Sequence, residues 1–239
     1  MTTTKLVIIG GVAAGASCAA RARRLNEFAQ ITLIERGPDV SFANCGLPYF
    51  IGGEIPQRDA LAVQTPDSLK AMLNLDVRTH TEAVAVDRAG KRVQLRHLPA
   101  ATTEWIAYDK LVLAPGAVPV RPPLPGIDDP RLFTLRSLAD MDRIKAAAEA
   151  AQRVTVIGAG FIGLEMAEQF IRLGKQVTLV ELQNQVLPLL DPLMTRLMED
   201  ELRRHGVTLI LGDSVERFAG GATLTCHLKS GRAVDTDLV

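Results

Sequence analysis

The sequence predicts an α/β protein built from two successive units, each with a parallel β-sheet. The first observation is an internal repeat, in which the apolar stretch Lys5–Gly10 returns as Arg153–Gly158, and small residues with a helical pattern follow both copies. The second observation is that strands expected at 31–34 and 177–180 are continuously or almost continuously apolar, which is typical of parallel strands buried on both faces. Each copy therefore predicts a βαβ unit.

Further elements are predicted between and after the two copies. Capping residues followed by a proline or an acidic side chain predict the starts of helices, and alternating or continuous apolar stretches predict strands. The predicted helix starts are Thr65, Ser137 and Asp191, and the predicted strands lie near 83–87, 92–98, 111–114, 207–211, 215–218 and 223–228, with one more strand beginning at 237–239. The shorter strands are expected to form small antiparallel β-meanders.

A proline-rich stretch separates the two units. Six prolines lie between Pro115 and Pro130, which is too many for a helix or a central strand. We interpret this stretch as the connection between two domains, which we expect to comprise residues 1–118 and 119–239.

Composition and charge exclude several classes of function. The 239 residues are 47% hydrophobic and carry 27 basic and 27 acidic side chains, so no general attraction to nucleic acid or to an anionic membrane is expected. No secretory signal and no apolar run of about 18 residues is present. Three scattered cysteines are too few for a disulfide scaffold or a zinc site, so we expect a cytoplasmic protein without a metal centre.

The second copy carries a full dinucleotide-binding fingerprint, G-x-G-x-x-G, between a strand and a helix. Its residues are Gly158, Ala159, Gly160, Phe161, Ile162 and Gly163. Glu181 lies at the end of the next strand, where we expect it to accept a hydrogen bond from a ribose 2′-hydroxyl. Leu182 and Gln183 follow it, and neither could receive a 2′-phosphate, so NADH is favoured over NADPH.

The first copy departs from this fingerprint at its centre. It consists of Gly10, Gly11, Val12, Ala13, Ala14 and Gly15. Glu35 follows Gly15 by 20 residues at a strand end, and the second copy strengthens the interpretation that this one also binds a dinucleotide. A purely structural βαβ turn is the alternative.

Two dinucleotide sites indicate a redox enzyme, because a hydride taken from a nicotinamide needs an acceptor, usually a flavin. Cys45 is the candidate redox group, since it precedes Pro48 in what the sequence predicts to be a helix start. It has no second cysteine nearby, so its oxidised form would be a sulfenic acid or a mixed disulfide with a small thiol. The alternative is a buried packing cysteine, which is what we expect of Cys18 and Cys226.

The first helix carries a polar stripe. Ser17, Arg21 and Arg24 are spaced i, i+4 and i+7, which places them on one helix face. A hydroxyl and two guanidiniums in line suit a phosphate-rich ligand. A solvated basic face is the alternative.

Three segments resemble one enzyme family. These are Ser41–Tyr49, Leu111–Gly116 and the first fingerprint with its central valine. They resemble the pyridine nucleotide-disulfide oxidoreductases, in particular the single-cysteine branch with coenzyme A-disulfide reductase, NADH oxidase, NADH peroxidase and persulfide reductases. The resemblance implies two Rossmann-like, three-layer domains, the first binding FAD and the second NAD(P)H.

The resemblance also assigns roles to residues. It implies that Cys45 alternates between a thiolate and a mixed disulfide with coenzyme A beside the flavin. The residues that it implies at the flavin site, besides the first fingerprint and Glu35, are Arg36, Ala114, Pro115 and Gly116. Those that it implies along the coenzyme A channel are Ser17, Arg21, Arg24, Ser41 and Asn44.

Three functions stay open at this point. The first is NADH-dependent reduction of coenzyme A disulfide or a related persulfide or polysulfide, which the arginine stripe favours. The second is an NADH oxidase or peroxidase that cycles Cys45 through a sulfenic acid, and the third is a non-catalytic nucleotide-binding module. Because members of the family are longer, we expect residues 1–239 to lack part of the flavin site, and the full-length protein to be a homodimer.

Overall fold

The computed structural model describes residues 3–239 as helices alternating with strands. Within that range the α-helices, numbered in chain order, are α1 (Ala13–Leu25), α2 (Leu47–Ile51), α3 (Pro66–Leu73), α4 (Leu138–Ala150), α5 (Phe161–Arg172) and α6 (Pro192–Arg204). The strands are β1 (Lys5–Ile9), β2 (Gln30–Ile34), β3 (Asp76–Arg78), β4 (Thr81–Asp87), β5 (Arg92–His97), β6 (Thr102–Ala107), β7 (Lys110–Leu113), β8 (Arg153–Ile157), β9 (Gln176–Glu181), β10 (Thr208–Leu211), β11 (Val215–Ala219), β12 (Leu224–Leu228) and β13 (Ala233–Thr236).

The chain divides into two units. The first contains the residues up to Asn44 together with Arg58–Val118, and the second contains Cys45–Gln57 together with Pro119–Val239. One break of the chain follows Val118, within the proline-rich stretch. Segment 45–57 differs from the expectation, because its helix α2 packs against α4 and α5 of the second unit.

The first unit has three layers around a parallel sheet of order β3-β2-β1-β7. Successive residues of β1 point to opposite faces, as the two-residue period of a strand requires. Ile8 packs with Ala19 of α1 and Leu69 of α3. Val7 packs on the other side with Val93 and Leu95 of the antiparallel meander β4-β5-β6. The helices therefore cover one face of the parallel sheet and the meander covers the other, so the sheet is buried on both faces.

The second unit repeats the plan with a parallel sheet of order β10-β9-β8 and an antiparallel meander β11-β12-β13. Val180 of β9 packs with Phe218, Leu224 and Cys226 of the meander. Leu238 forms a single parallel bridge with Val154 of β8, so the strand expected to begin at 237–239 is present only as an isolated bridge within the described residues. The predicted α/β class with two Rossmann-like, three-layer units is thus confirmed.

The sequence analysis did not predict three strands, and all three were missed for one physical reason. Strands β3, β6 and β13 are short or lie at sheet edges, and most of their residues are exposed or only partly buried. They therefore carry little of the apolar periodicity by which strands are recognised. No helix within residues 3–239 has the length and apolar character needed to span a membrane.

The Asp237 carboxylate links the end of the second unit to the start of strand β8. The free energy of unfolding of this unit therefore depends on pH. Asp237 pairs with the Arg153 guanidinium at 2.6 Å and accepts the backbone N–H groups of Gln152 and Arg153 at 3.0 and 2.9 Å. These donors, led by the guanidinium of Arg153, lower the pKa of Asp237 to about 2. Because the pKa is lower in the folded chain, the stabilisation is present above about pH 4 and is lost as the pH falls towards 2.

We expect Asp237→Asn to lower the free energy of unfolding by about 1 kcal/mol at pH 7, a modest value because the pair is a third exposed. The difference from the wild type should shrink steadily between pH 4 and pH 2. Urea unfolding across this pH range measures it. Asp128→Asn, which removes a charge from an exposed residue of the same unit, is the control, and an equal, pH-independent loss in both variants would contradict the assignment.

Candidate functional site

The first fingerprint forms a tight turn between β1 and α1. Gly10 has a φ of +101°, and a Cβ atom there would lie 1.9 Å from the carbonyl oxygen of Ala114. A Cβ atom on Gly15 would lie 1.7 Å from the carbonyl oxygen of Gly10. Both positions therefore require glycine, one for its backbone angle and both for space. Val12 combines a negative φ of −92° with a ψ of −110°, so the left-handed backbone that favours glycine is not required where the pattern expects glycine.

Glu35 closes this turn from the end of β2. Its Oε2 accepts the N–H of Gly11 at 2.8 Å, and its Oε1 accepts the N–H of Gly37 at 2.8 Å. The carboxylate thereby joins the loops that follow the two strands, and each oxygen keeps a lone pair for a ligand hydroxyl. The sequence predicted the ligand contact but not these structural bonds.

The second fingerprint reproduces the geometry of the first. Gly158 has a φ of +98°, and a Cβ on Gly163 would lie 1.9 Å from the Gly158 carbonyl oxygen. Glu181 is 8% exposed and accepts the N–H groups of Ala159 and Gln183 at 2.7 and 2.8 Å. The two copies thus share the glycine turn and the carboxylate that closes it.

Both fingerprint turns fit a dinucleotide. The α1 and α5 helices have no side-chain cap and no acidic residue in the first turn, whereas α3, α4 and α6 are capped by Thr65, Ser137 and Asp191. The free N–H groups of an uncapped helix start attract a phosphate. Nothing lies within 4 Å of a Cβ placed on Gly158 or Gly160, so the second turn leaves room for a pyrophosphate.

The other predicted flavin-site residues lie around the first turn or at the surface. Ala114 approaches Gly10, and its N–H donates to the carbonyl of Ile9 at 2.8 Å. Pro115 is exposed, and Gly116 has a φ of +69°. Arg36 exposes 64% of its side chain and lies 3.8 Å from Glu82. The structure therefore brings Ala114 to the turn and leaves Arg36 extended at its edge.

The three cysteines differ sharply in environment. Cys45 is exposed in the 3₁₀ turn Asn44–Gly46 that leads into α2, with Pro48 in the first turn of that helix. Cys226 is fully buried, and burial raises the pKa of its thiol to about 11. Cys18 packs against the core of the first unit. Exposure therefore leaves Cys45 as the accessible thiol within residues 3–239.

A cavity of about 590 Å³ lies in the first unit beside α1. Three of its lining residues are the predicted stripe Ser17, Arg21 and Arg24, and Ser41 lines it as well. Asn44, predicted to belong with them, is not among its lining residues. The sequence analysis missed the apolar wall, which consists of Phe42, Val63, Leu69, Met72 and Leu73. The spacing of Leu69, Met72 and Leu73 on α3 is the signal that could have revealed it.

The arginines of α1 divide into two kinds. Arg21 and Arg24 are exposed, and neither has a hydrogen-bond or ion-pair partner in the part of the chain that the structure describes. Arg23 instead donates to the carbonyls of Leu73, Asn74, Asn26, Glu27 and Ala29. Two guanidiniums beside an apolar wall can hold a ligand that carries phosphates at one end and a hydrocarbon-like arm at the other.

A family comparison agrees with this geometry, since the model of the pyridine nucleotide-disulphide oxidoreductases matches residues 4–239. The chain belongs to this family. A coenzyme A disulfide reductase of Staphylococcus haemolyticus is 34% identical over 240 residues, covering 98% of this chain and 52% of that protein. The chain therefore spans about half the length of such a curated relative.

Solved structures give the same picture. Reduced CoADR-RHD from Bacillus anthracis is 44% identical with a TM-score of 0.95, covering all of this chain and 43% of that one. The water-forming NADH oxidase from Lactobacillus brevis, bound to NADH, is 32% identical with a TM-score of 0.95, covering 99% and 52%.

A mutant of that oxidase is an engineered NADPH oxidase bound to NADPH; it is 32% identical with a TM-score of 0.94, covering 98% of this chain and 52% of that one. It carries glycine-to-alanine, aspartate-to-alanine, alanine-to-arginine, methionine-to-serine and proline-to-arginine substitutions. In its sequence the substituted aspartate follows the glycine by 18 residues and precedes the proline by 7.

Proposed function

We propose that this chain provides the redox cysteine and both dinucleotide sites for NADH-driven reduction of coenzyme A disulfide, or of a related persulfide or polysulfide. The observation that carries the proposal is the cavity with an apolar wall and two arginines that have no partner among residues 3–239. Cys45 follows Ser41 of that cavity by four residues, which limits the distance between their Cα atoms to about 14 Å.

The two units take different cofactors in this proposal. Residues 1–118 would bind FAD through the first fingerprint, Glu35, Arg36 and 114–116, and 119–239 would bind NADH through the second fingerprint and Glu181. When bound, the flavin accepts the nicotinamide hydride and passes on electron pairs. The glycine turns and uncapped helices described above supply the phosphate contacts on this chain's side.

Cys45 would act as the nucleophile. Its thiolate attacks one sulfur of the disulfide, which forms the Cys45–coenzyme A bond and releases the other coenzyme A as a thiolate. Two electrons that originate on NADH then cleave the mixed disulfide, which returns the Cys45 thiolate and releases the second coenzyme A. Arg21, Arg24, Ser17 and Ser41 would hold the substrate, with Asn44 beside the cysteine.

An oxidase is the second candidate, and the likeness to the Lactobacillus brevis enzyme favours it. In that case Cys45 would cycle through a sulfenic acid. The expected homodimer and the cytoplasmic location stay predictions for the full-length protein.

Replacing the exposed thiol tests whether Cys45 is the redox group. Cys45→Ser should abolish disulfide reduction, because serine forms no disulfide, while reduction of the flavin by NADH, followed by its absorbance, should continue. Cys18→Ser is the control and should keep the activity. Full disulfide or peroxide turnover in Cys45→Ser would show that Cys45 is not the redox group, whereas a non-catalytic nucleotide-binding module predicts no turnover in either the wild type or Cys45→Ser.

The state of oxidised Cys45 separates the two enzyme candidates. Intact-mass analysis under non-reducing conditions should show a coenzyme A adduct that is absent from Cys45→Ser. Capture of the oxidised protein by dimedone without a coenzyme A adduct would select the oxidase.

Removing the arginine charges tests the cavity. Arg21→Gln and Arg24→Gln should each raise KM for coenzyme A disulfide about tenfold, since each removes a charged phosphate contact worth 1.5–3 kcal/mol in general. Their kcat and their KM for NADH should be unchanged. Arg88→Gln, at an exposed arginine outside the cavity, is the matched control, and equal KM values in all three variants would exclude this cavity as the substrate site.

The preference for NADH can be tested by transferring the engineered pattern. Glu181 follows Gly163 by 18 residues and precedes Pro188 by 7, as in the oxidase mutant. A variant with Glu181→Ala, Leu182→Arg, Gln183→Ser and Pro188→Arg, which keeps Gly163 because a Cβ there would clash with the Gly158 carbonyl oxygen, should shift kcat/KM towards NADPH by about 100-fold, because arginine can hold a 2′-phosphate. Leu189→Arg adds charge to the same loop as a control, and an unchanged preference in the fourfold variant would show that Glu181 does not bind the ribose.

A further inference from the structure

The segment that carries Cys45 is anchored to two helices of the second unit. Lys145 of α4 donates to the carbonyl of Phe50 at 2.8 Å and to that of Ile51 at 3.4 Å, and its ammonium lies 4.6 Å from the centre of the Phe50 ring. These carbonyls belong to the end of α2, where helix carbonyls lack helical partners. Lys145 therefore caps the helix that follows the cysteine.

A second anchor comes from α5. Gln169 is completely buried, and its Nε2 donates to Glu54 at 2.8 Å. Arg172, one turn further on, lies 3.3 Å from the same carboxylate. A Cβ atom on Gly52 would lie 1.8 Å from the Gln169 amide oxygen, so the segment approaches α5 as closely as a glycine allows.

Charge on α5 reaches the middle of the segment as well. The carboxylate of Glu165, followed by burial and by Glu168, raises the pKa of the Tyr49 hydroxyl. The Tyr49 carbonyl accepts the N–H groups of Glu54 and Ile55 at 2.9 and 3.1 Å, which folds the segment back on itself. Helix α5, whose first turn is the second fingerprint, therefore packs against α2 and binds the end of the segment through Gln169 and Arg172.

We propose that Lys145 and Gln169 are positioning residues for Cys45, which fix segment 45–57 to the nicotinamide-binding unit. The proposal rests on the proposed function in one respect, that Cys45 is the redox sulfur. Neither residue belongs to the fingerprints or to the cavity of the first unit. Replacing either side chain should therefore displace the Cys45 sulfur while leaving the NADH site intact.

Hydrogen exchange on the intact protein tests the anchoring directly. Lys145→Met removes the ammonium but keeps an apolar stem over Phe50, and Gln169→Leu removes the amide at similar volume. Each should speed exchange of the Gly52, Glu54 and Ile55 amides about tenfold. Lys175→Met is the matched control, because Lys175 donates to the carbonyl of Ala151 at 2.7 Å elsewhere in the same unit, and it should leave these amides unchanged.

Kinetics test whether the anchoring positions the sulfur. In Lys145→Met and Gln169→Leu, kcat for disulfide reduction should fall about tenfold, the order expected for a small displacement of a reacting group. KM for NADH and the rate of flavin reduction by NADH should change less than twofold, and Lys145→Arg should restore kcat.

The outcomes divide clearly. Unchanged exchange and unchanged kcat in both variants would overturn the proposal, as would equal losses in Lys175→Met. If one variant does not fold, the other removes an independent contact and decides the result. A full-length wild-type protein that reduces no disulfide would refute the proposed function alone, since the exchange result stands without it.

Discussion

The contact on which both units depend is the carboxylate that closes each glycine turn. Glu35 and Glu181 each accept one N–H from the turn after the first strand and one from the loop after their own strand. A carboxylate with two backbone donors holds both loops at the carboxyl edge of the sheet. This bond, together with the close approach of Gly15 to Gly10 and of Gly163 to Gly158, determines where each helix begins.

The position of the helix start in turn determines what the turn can bind. The carboxylate accepts the first N–H of the turn, and the starts of α1 and α5 have no side-chain cap among the described residues. Elsewhere in the described chain, a threonine, serine or aspartate side chain caps the first turn of α3, α4 and α6. A local anion site thereby arises in a chain whose basic and acidic side chains are equal in number.

The sequence predicted the parts of this structure that depend on local geometry. The glycine positions, the acid at each strand end and the caps Thr65, Ser137 and Asp191 follow from short-range sterics and hydrogen bonds, so their spacing was sufficient. The attachment of Cys45 to the second unit could not be predicted, because it depends on Lys145 and Gln169, which are about 100 residues away along the chain. Asn44 was placed with the cavity by resemblance alone, and it does not line that cavity.

The three arginines of helix α1 lie on two different faces of the helix and have different roles. At 3.6 residues per turn, Arg21 and Arg24 lie within about 60° of each other around the axis, while Arg23 lies about 160° from Arg21. Arg23 therefore faces the loops at the ends of α1 and α3, where its guanidinium donates to backbone carbonyls. Arg21 and Arg24 face the cavity, and a long side chain that finds no protein acceptor keeps its full hydrogen-bonding capacity for a ligand. The sequence spacing could group Arg21 with Arg24, but only the carbonyls around Arg23 show that Arg23 has a structural role.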